Sequence, residues 1–187
     1  MNELSLHILD ICQNSIKANA TLIKILIEED IPSNLFSITI IDNGHGMDKK
    51  TLSEVADPFF TTRTTRKVGL GISLFKMAAE FTDGSLDITS IVNEGTTVTA
   101  VFKHNHIDRA PLGEIEDSLS ILVLNEANID ILYEHTYNNQ KYVFDTREIK
   151  KVLDGIPFTE YSVIMWIKEN IKQGILDIHK EESNWNH

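Results

Sequence analysis

The sequence predicts an α+β fold: a two-layer α/β sandwich with helices on one face of a mixed sheet, followed by a small α/β extension. Two observations predict it. In the first 103 residues, apolar side chains recur at helical spacing in some segments, and β-branched residues are concentrated in others, in the order α-β-β-α-α-β-β. Beyond residue 111, a second and more acidic stretch repeats helical and hairpin patterns after a short polar segment.

In the first half, apolar residues at helical spacing and runs of β-branched residues predict three helices and four strands. The helices are predicted at about 3–18, 48–55 and 71–81, and the strands at 21–28, 35–42, 85–91 and 96–102. Asp48 is the expected N-cap of the second helix, because its carboxylate can accept hydrogen bonds from first-turn amides. Asn93 to Gly95 form the expected turn of the last hairpin.

The second half is predicted to contain a linker and an appended unit. Residues 1–103 form the expected main domain, 104–111 the linker, and 112–187 a small acidic extension. The extension should contain an amphipathic helix near 115–123, a hairpin at 129–136 and 141–145, a helix to Leu153 and a final helix from about Thr159. Asp145 or Thr146 is the expected cap of the helix that ends at Leu153.

Composition excludes several classes of function. The 187 residues carry a net charge of −11, which argues against nucleic acid and anionic membrane surfaces as partners. The single cysteine, Cys12, excludes an internal disulfide framework and is typical of a reducing compartment. The N-terminus has no basic export signal, and no apolar run reaches 18 residues. We therefore expect a cytoplasmic protein.

Polar residues on the first predicted helix follow one stripe. Glu3, His7, Asp10 and Asn14 are separated by four, three and four residues, so they lie on one helix face. An amide oxygen at Asn14 could ligate Mg²⁺, and a carboxylate at Asp10 could orient water or accept its proton. On this helix alone, a merely solvated face is the simpler interpretation.

A strand that ends at Asp42 runs into the segment Asp42-Asn43-Gly44-His45-Gly46. A carboxylate there can accept a hydrogen bond from the adenine amine, and the glycines allow a base to lie against the backbone. Guanine presents a carbonyl at that position, so the pattern favours ATP over GTP. A calcium loop would need glycine at Met47 and glutamate at Ser53, and a dinucleotide fingerprint would need a third glycine. A plain Asn-Gly turn stays open.

A third segment combines aromatic, basic and glycine residues. It contains, in order, Asp57, Pro58, Phe59, Phe60, Thr61, Thr62, Arg63, Arg66, Lys67, Gly69, Leu70 and Gly71. The glycines precede a predicted helix, whose free N–H groups favour phosphate oxygens. Cations beside such a helix start are better explained by phosphate than by a solvated face.

Together, these segments and Gly95-Thr96-Thr97 resemble the GHKL ATPase superfamily, the Bergerat-fold group that includes gyrase, MutL and histidine kinases. The resemblance covers about residues 1–103 and implies ATP and Mg²⁺ as cofactors. It implies that Asp10 is the catalytic base and Asn14 the Mg²⁺ ligand. The implied nucleotide contacts are Asn14, Lys17, Asp42, Gly44, Gly46, Met47, Phe60, Thr61, Thr62, Arg63, Lys67, Gly69, Leu70, Gly71 and Thr96. Residues 61–68 would form the lid.

The resemblance has mixed features. Asp10 stands where many members have glutamate, Lys17 is similar to the kinase branch, and Ala18 to Thr21 are similar to MutL. His7 is expected to pair with Glu3 or Asp10 rather than to accept a phosphoryl group. Because only 13 residues precede Asn14, we expect a freestanding domain, similar in layout to anti-sigma-factor kinases, rather than a complete sensor kinase.

Two functions follow from the resemblance. The first is slow ATP hydrolysis, or phosphoryl transfer to a partner protein, in a regulatory role. The alternative is a non-hydrolysing module that senses ATP and contacts another protein. The expected partners are ATP and a protein that is either phosphorylated or regulated, with no nucleic acid and no membrane. A homodimer is one oligomeric state that the sequence leaves open.

Overall fold

The computed structural model describes residues 3–56, 70–125 and 129–180, and these contain six helices and six strands. The helices are α1 (Leu4–Lys17), α2 (Lys49–Ala56), α3 (Leu70–Glu80), α4 (Ile115–Val123), α5 (Thr146–Leu153) and α6 (Tyr161–Lys180). The strands are β1 (Leu22–Asp30), β2 (Leu35–Asp42), β3 (Ser85–Ile91), β4 (Gly95–Lys103), β5 (Asp130–Tyr137) and β6 (Gln140–Asp145). The predicted elements are all present, and most of their ends agree within two residues.

All six strands form one open sheet in the order β3-β4-β2-β1-β5-β6. Every neighbouring pair is antiparallel except β1 and β5, which run parallel. The hairpin of the second half therefore continues the sheet of the first half. With helices packed against this mixed sheet, the fold is the predicted α+β sandwich.

The core lies between the sheet and the helices α1, α3, α4 and α6. Alternate residues of the central strands are buried: Ile23, Ile25 and Ile27 of β1, Phe36, Ile38 and Ile40 of β2, and Val98, Ala100 and Phe102 of β4. Burying one such large side chain stabilises the fold by roughly 1.5–3 kcal/mol. Cys12 of α1 belongs to this core, and burial raises the pKa of its thiol.

Local capping explains two of the helix starts. The Asp48 carboxylate accepts a hydrogen bond of 2.7 Å from the Thr51 amide, and Asp145 accepts one of 2.9 Å from the Arg147 amide. Both carboxylates satisfy amides that have no partner within the helix. These two predicted caps are confirmed.

The segment between the two halves is held by defined contacts. The His104 amide donates to the Asn34 carbonyl, the Arg109 guanidinium lies 4.6 Å from the centre of the Phe36 ring, and the Leu4 amide donates to the Pro111 carbonyl. Residues 104–111 thus contact both β2 and the start of α1. Among the helices within the described ranges, none is long and apolar enough to span a bilayer.

The buried face of the sheet carries polar residues at both ends of its central strands. Asp42 is paired with Thr96 at one end, beyond Ile40 and Val98. Glu29 and His135 continue the buried rows of β1 and β5 at the other end. Because β1 and β2 are antiparallel, Glu29 and Asp42 lie at opposite ends of the strands. The buried polar groups at the two ends of the strands are therefore separate from each other.

Candidate functional site

A cavity of about 250 Å³ opens between α1, the end of β2, α2, the start of α3 and β4. This volume is slightly below the roughly 300–1,000 Å³ that is usual for ligand pockets. Its apolar wall is formed by Ile11, Ile40, Met47, Val55, Ile72 and Val98. Its polar groups come from Asn14, Ser15, Lys17, Asp42, Thr96 and the loop 45–46. A flat, mostly apolar group with a few polar edges fits such a lining.

Asp42 is the buried acid of this cavity, and only 9% of it is exposed. Its Oδ2 accepts a hydrogen bond of 2.6 Å from the Ser15 hydroxyl, and its Oδ1 accepts one of 2.9 Å from the Gly44 amide. Each carboxylate oxygen can accept two hydrogen bonds, so both retain capacity for a further donor. The two contacts hold the carboxylate in place at the cavity wall.

Ser15 is a site residue that the sequence analysis missed. It is buried on α1, one residue after Asn14, and its hydroxyl also lies 3.4 Å from the Ile11 carbonyl. The sequence signal was weak, because a serine within an apolar helix usually bonds back to the preceding turn. Only the packing of α1 on β2 shows that its shorter contact is with Asp42.

Two predicted glycines are required by the loop that follows Asp42. A Cβ at Gly44 would lie 2.8 Å from the Ala18 carbonyl oxygen, so a side chain there would separate the loop from α1. Gly46 has a φ of +63°, and a Cβ there would lie 2.0 Å from the Ile91 carbonyl oxygen. The amide of His45 also donates to Ala18. The loop is therefore fixed against α1 and the β3–β4 turn.

Thr96 lies at the start of β4, directly across from Asp42. Its hydroxyl is 2.9 Å from the Ser90 hydroxyl, which also donates to the Gly95 carbonyl and accepts from the Met47 amide. Ser90 is a second residue that the sequence analysis did not identify. It joins Thr96 to the loop containing Met47, so the two predicted contacts belong to one hydrogen-bonded unit.

Asn14 and Lys17 lie in the last turns of α1, at the rim of the cavity. Asp10 is one turn earlier and contacts the start of α3 instead. A Cβ at Gly71 would lie only 2.8 Å from Asp10 Oδ2, so the absence of a side chain at Gly71 permits this approach. A carboxylate at a helix N-terminus is electrostatically favourable. Asp10 therefore lies at the predicted phosphate-binding helix start, one turn from Asn14.

His7 does not follow the expectation of a polar partner for Glu3 or Asp10. It is buried, and its ring stacks on Phe75 with centroids 5.1 Å apart. Within the described part of the chain, its Nδ1 has no hydrogen-bond partner. Burial lowers its pKa, although the Asp10 charge acts in the opposite direction. His7 is therefore part of the core, and the other members of the predicted stripe are Glu3, which precedes α1, and Asp10 and Asn14 within it.

Part of the predicted site lies outside the described residues. These positions are Phe60, Thr61, Thr62, Arg63, Lys67 and Gly69. Leu70 begins α3, as expected for a glycine-flanked helix start. The described half of the site brings together Asn14, Lys17, Asp42, Gly44, Gly46, Met47 and Thr96, with Asp10 and Gly71 beside it.

Comparison with known families identifies the first half of the chain. The family described as histidine kinase-, DNA gyrase B-, and HSP90-like ATPase matches residues 2–106, more than half of the sequence. The chain belongs to this family. It therefore carries a histidine-kinase-like ATP-binding domain, and the cavity described above lies within the matched residues.

Two curated relatives are bacterial sensor kinases. The sensor histidine kinase YvrG of Bacillus subtilis is 30% identical over 96 residues, which are 48% of this chain and 16% of that kinase. The sensor protein kinase FleS of Pseudomonas aeruginosa is 32% identical over 110 residues, which are 59% of this chain and 27% of that kinase. The chain thus spans about a quarter or less of the length of these relatives.

A solved structure shows the same fold at low sequence identity. The crystal structure of the N-terminal domain of a DNA repair protein has a TM-score of 0.51 and 19% identity, and covers 76% of this chain and 52% of that chain. At this identity the similarity concerns the fold alone.

Proposed function

We propose that this protein binds Mg-ATP in the cavity beside Asp42, and that it hydrolyses ATP slowly or transfers the γ-phosphoryl group to a partner protein. The observation that carries the adenine assignment is the Asp42 carboxylate. It is buried, held by Ser15 and Gly44, and placed between apolar walls. An adenine amine would donate to this acceptor, whereas guanine would direct a carbonyl at it.

The phosphates would extend from the adenine end toward Asn14, Lys17 and the start of α3. Asn14 would provide an amide oxygen to Mg²⁺, which neutralises charge that develops on the transferred phosphoryl group. Lys17 is exposed at the cavity rim, where its ammonium can reach an anion. The free amides at the start of α3 favour phosphate oxygens for the same electrostatic reason.

Asp10 would act as the base. A water molecule, or the hydroxyl or imidazole of a partner protein, would give its proton to the Asp10 carboxylate as it forms a bond to the γ-phosphorus, while the bond from the γ-phosphorus to the β,γ-bridging oxygen breaks and ADP leaves. The carboxylate is beside Gly71 and one helical turn from Asn14. The lid residues expected from the sequence, including Arg63 and Lys67, would contact the same phosphate.

The experiment that tests nucleotide binding compares ATP with GTP by titration calorimetry. Asp42→Asn should bind ATP 10- to 150-fold more weakly, because a charge-assisted hydrogen bond in a buried site contributes roughly 1.5–3 kcal/mol. Asp154→Asn is the matched control, since it makes the same change at the exposed end of α5, where asparagine tolerates the left-handed backbone. Equal competition by GTP, or normal binding by Asp42→Asn, contradicts the assignment.

One observation favours a second function, a sensor that binds ATP without hydrolysing it. The Asp10 carboxylate lies beside Gly71 at the start of α3, where a negative charge is electrostatically favourable whether or not it acts as a base. Incubation with ATP labelled at the γ-phosphate distinguishes the enzyme from the sensor. Free phosphate or labelled protein supports the enzyme, whereas intact ATP after long incubation, with and without protein partners, supports the sensor. A cytoplasmic location stays a prediction from the sequence.

A further inference from the structure

A second cluster of functional side chains lies at the end of the sheet opposite Asp42. Glu29 of β1 is 8% exposed, and His135 of β5 is fully buried beside it. His179, near the end of α6, completes the group. The Oε1 atom of Glu29 lies 2.8 Å from His135 Nε2 and 3.1 Å from His179 Nε2. Three strong ligand atoms therefore meet at one point, contributed by three separate elements.

A neutral His179 ring has a single N–H proton, but both of its ring nitrogens lie close to an oxygen atom. Its Nδ1 lies 2.7 Å from the Ile175 carbonyl oxygen, which can only accept a hydrogen bond. Nδ1 must therefore carry the proton, and a neutral ring then directs the Nε2 lone pair at the Glu29 carboxylate. A lone pair and a carboxylate oxygen at 3.1 Å repel each other unless a cation lies between or beside them. A protonated ring or a metal ion removes this conflict.

The surrounding contacts are those that orient metal ligands. Metal-bound histidines usually engage their second ring nitrogen with a carbonyl, a carboxylate or water. His179 does so with Ile175, and His135 Nδ1 lies 2.8 Å from the Tyr133 hydroxyl. His104 Nε2 lies 2.7 Å from the other carboxylate oxygen, Oε2, and so fixes the plane of the carboxylate.

We propose that Glu29, His135 and His179 bind one divalent transition-metal ion of the zinc type, through Oε1 and the two Nε2 atoms. Two imidazoles and one carboxylate are a known zinc ligand set that leaves a fourth position for water. The three ligand atoms lie within 4.8 Å of one another. Bonds of about 2.0–2.2 Å in a tetrahedron place ligand atoms roughly 3.3–3.6 Å apart. Glu29 Oε1 lies 2.8 Å from His135 Nε2 and 3.1 Å from His179 Nε2, so the carboxylate would have to move outward from both rings by roughly half an ångström.

The site is independent of the proposed nucleotide function. Glu29 and Asp42 lie at opposite ends of the paired strands β1 and β2, and none of the three ligands lines the cavity beside Asp42. Its ligands join the first half of the chain to β5 and α6, so a bound ion would stabilise the attachment of the second half to the sheet.

The test uses the untagged chain of 187 residues after treatment with a chelator, with no nucleotide present. Zn²⁺ is titrated by calorimetry, and Co²⁺ is added to record the visible absorption of a tetrahedral site. We expect one ion per chain, and His179→Gln should weaken its binding at least about 100-fold, because loss of an orienting partner alone costs roughly 10- to 100-fold. Glu29→Gln should have the same effect. His106→Gln is the control, since His106 pairs weakly with Asp108 outside the cluster.

Thermal unfolding provides a second measurement. Zn²⁺ should raise the midpoint of the wild type and of His106→Gln, but not that of His179→Gln. His179 is a third exposed, so its replacement leaves the core intact even if Glu29→Gln fails to fold. If the wild type binds no stoichiometric ion, or if His179→Gln binds it equally well, the proposal is wrong, and a proton on His179 balances the charge instead.

Discussion

The hydroxyl of Ser15 lies 2.6 Å from Asp42 Oδ2, although the two residues are 27 positions apart. Ser15 belongs to α1 and Asp42 is the last residue of β2, so the bond joins a helix to the end of a strand. It is the shortest contact of the carboxylate in the described part of the chain. The orientation of the candidate adenine acceptor therefore depends on how α1 packs against the sheet.

We expect Ser15→Ala to lower the free energy of unfolding by roughly 1–3 kcal/mol, because it leaves a buried carboxylate oxygen without its donor. ATP affinity should also fall, by about tenfold or less, since Asp42 remains but is less well oriented. Urea unfolding and calorimetric titration measure the two effects. Ser53→Ala removes an exposed serine hydroxyl from α2 and should change stability by less than about 0.5 kcal/mol. Equal behaviour of the two variants would refute the role of Ser15.

Asn14→Ala tests the metal side of the nucleotide site. Mg²⁺ should strengthen ATP binding by the wild type but have no effect on the variant, because the amide oxygen is the proposed ligand. Adenosine binding should not change. The exposed neighbour Gln13→Ala is the control on the same helix. If Asn14→Ala loses ATP and adenosine binding equally, the variant has a folding defect and Asn14 has no specific role toward the metal.

Asp10→Asn separates catalysis from helix stabilisation. If Asp10 is the base, turnover should fall by about 10²–10⁴-fold while ATP binding persists, whereas Asp10→Glu keeps or raises turnover. The contact with the start of α3 predicts an additional loss of about 0.3–1 kcal/mol in unfolding free energy. A stability loss without any change in an established wild-type rate would leave only the structural role. Phosphate release and urea unfolding are the measurements.

His7 should make folding stability depend on pH. Because burial lowers its pKa below the ordinary 6.5, the unfolded chain takes up the proton first as the pH falls. The contribution of neutral His7 to the free energy of unfolding is therefore fully present above about pH 7. It decreases as the pH falls through 6.5, with a slope of at most about 1.4 kcal/mol per pH unit. His7→Phe keeps an aromatic ring against Phe75 and should remove this part of the slope. Unfolding at several pH values, with His106→Gln as control, tests it; an unchanged slope in His7→Phe contradicts it.

Local signals predicted most of the fold. The runs of β-branched residues in β1 and β2 and the caps Asp48 and Asp145 depend on neighbours a few residues away, so the sequence shows them directly. The parallel pairing of β1 with β5 was not predictable in this way, because it joins residues more than 100 positions apart. Register between distant strands is decided by packing of the whole core, which no local pattern records.

In the candidate site, too, the residues that are close in sequence were predictable and those brought together by the fold were not. Asp42, Gly44 and Gly46 form a continuous segment with a recognisable chemistry, and their placement at the cavity follows from one strand end. Ser15 and the Glu29 cluster were missed because each needs side chains from separate elements to meet. His135 and His179 are 44 residues apart and carry no motif spacing, so only the folded chain brings them to Glu29.

The pairing of β1 with β5 has a consequence for biosynthesis. On the ribosome, residues 22–30 emerge about 100 residues before their parallel partner at 130–137, an interval of roughly 5–20 s at usual translation rates. During that time β1 can pair with β2, but its other side presents unpaired N–H and C=O groups that could bind another strand. Completion of the sheet by β5 closes this edge, so the first half of the chain is open to association with other copies only until its second half has been made.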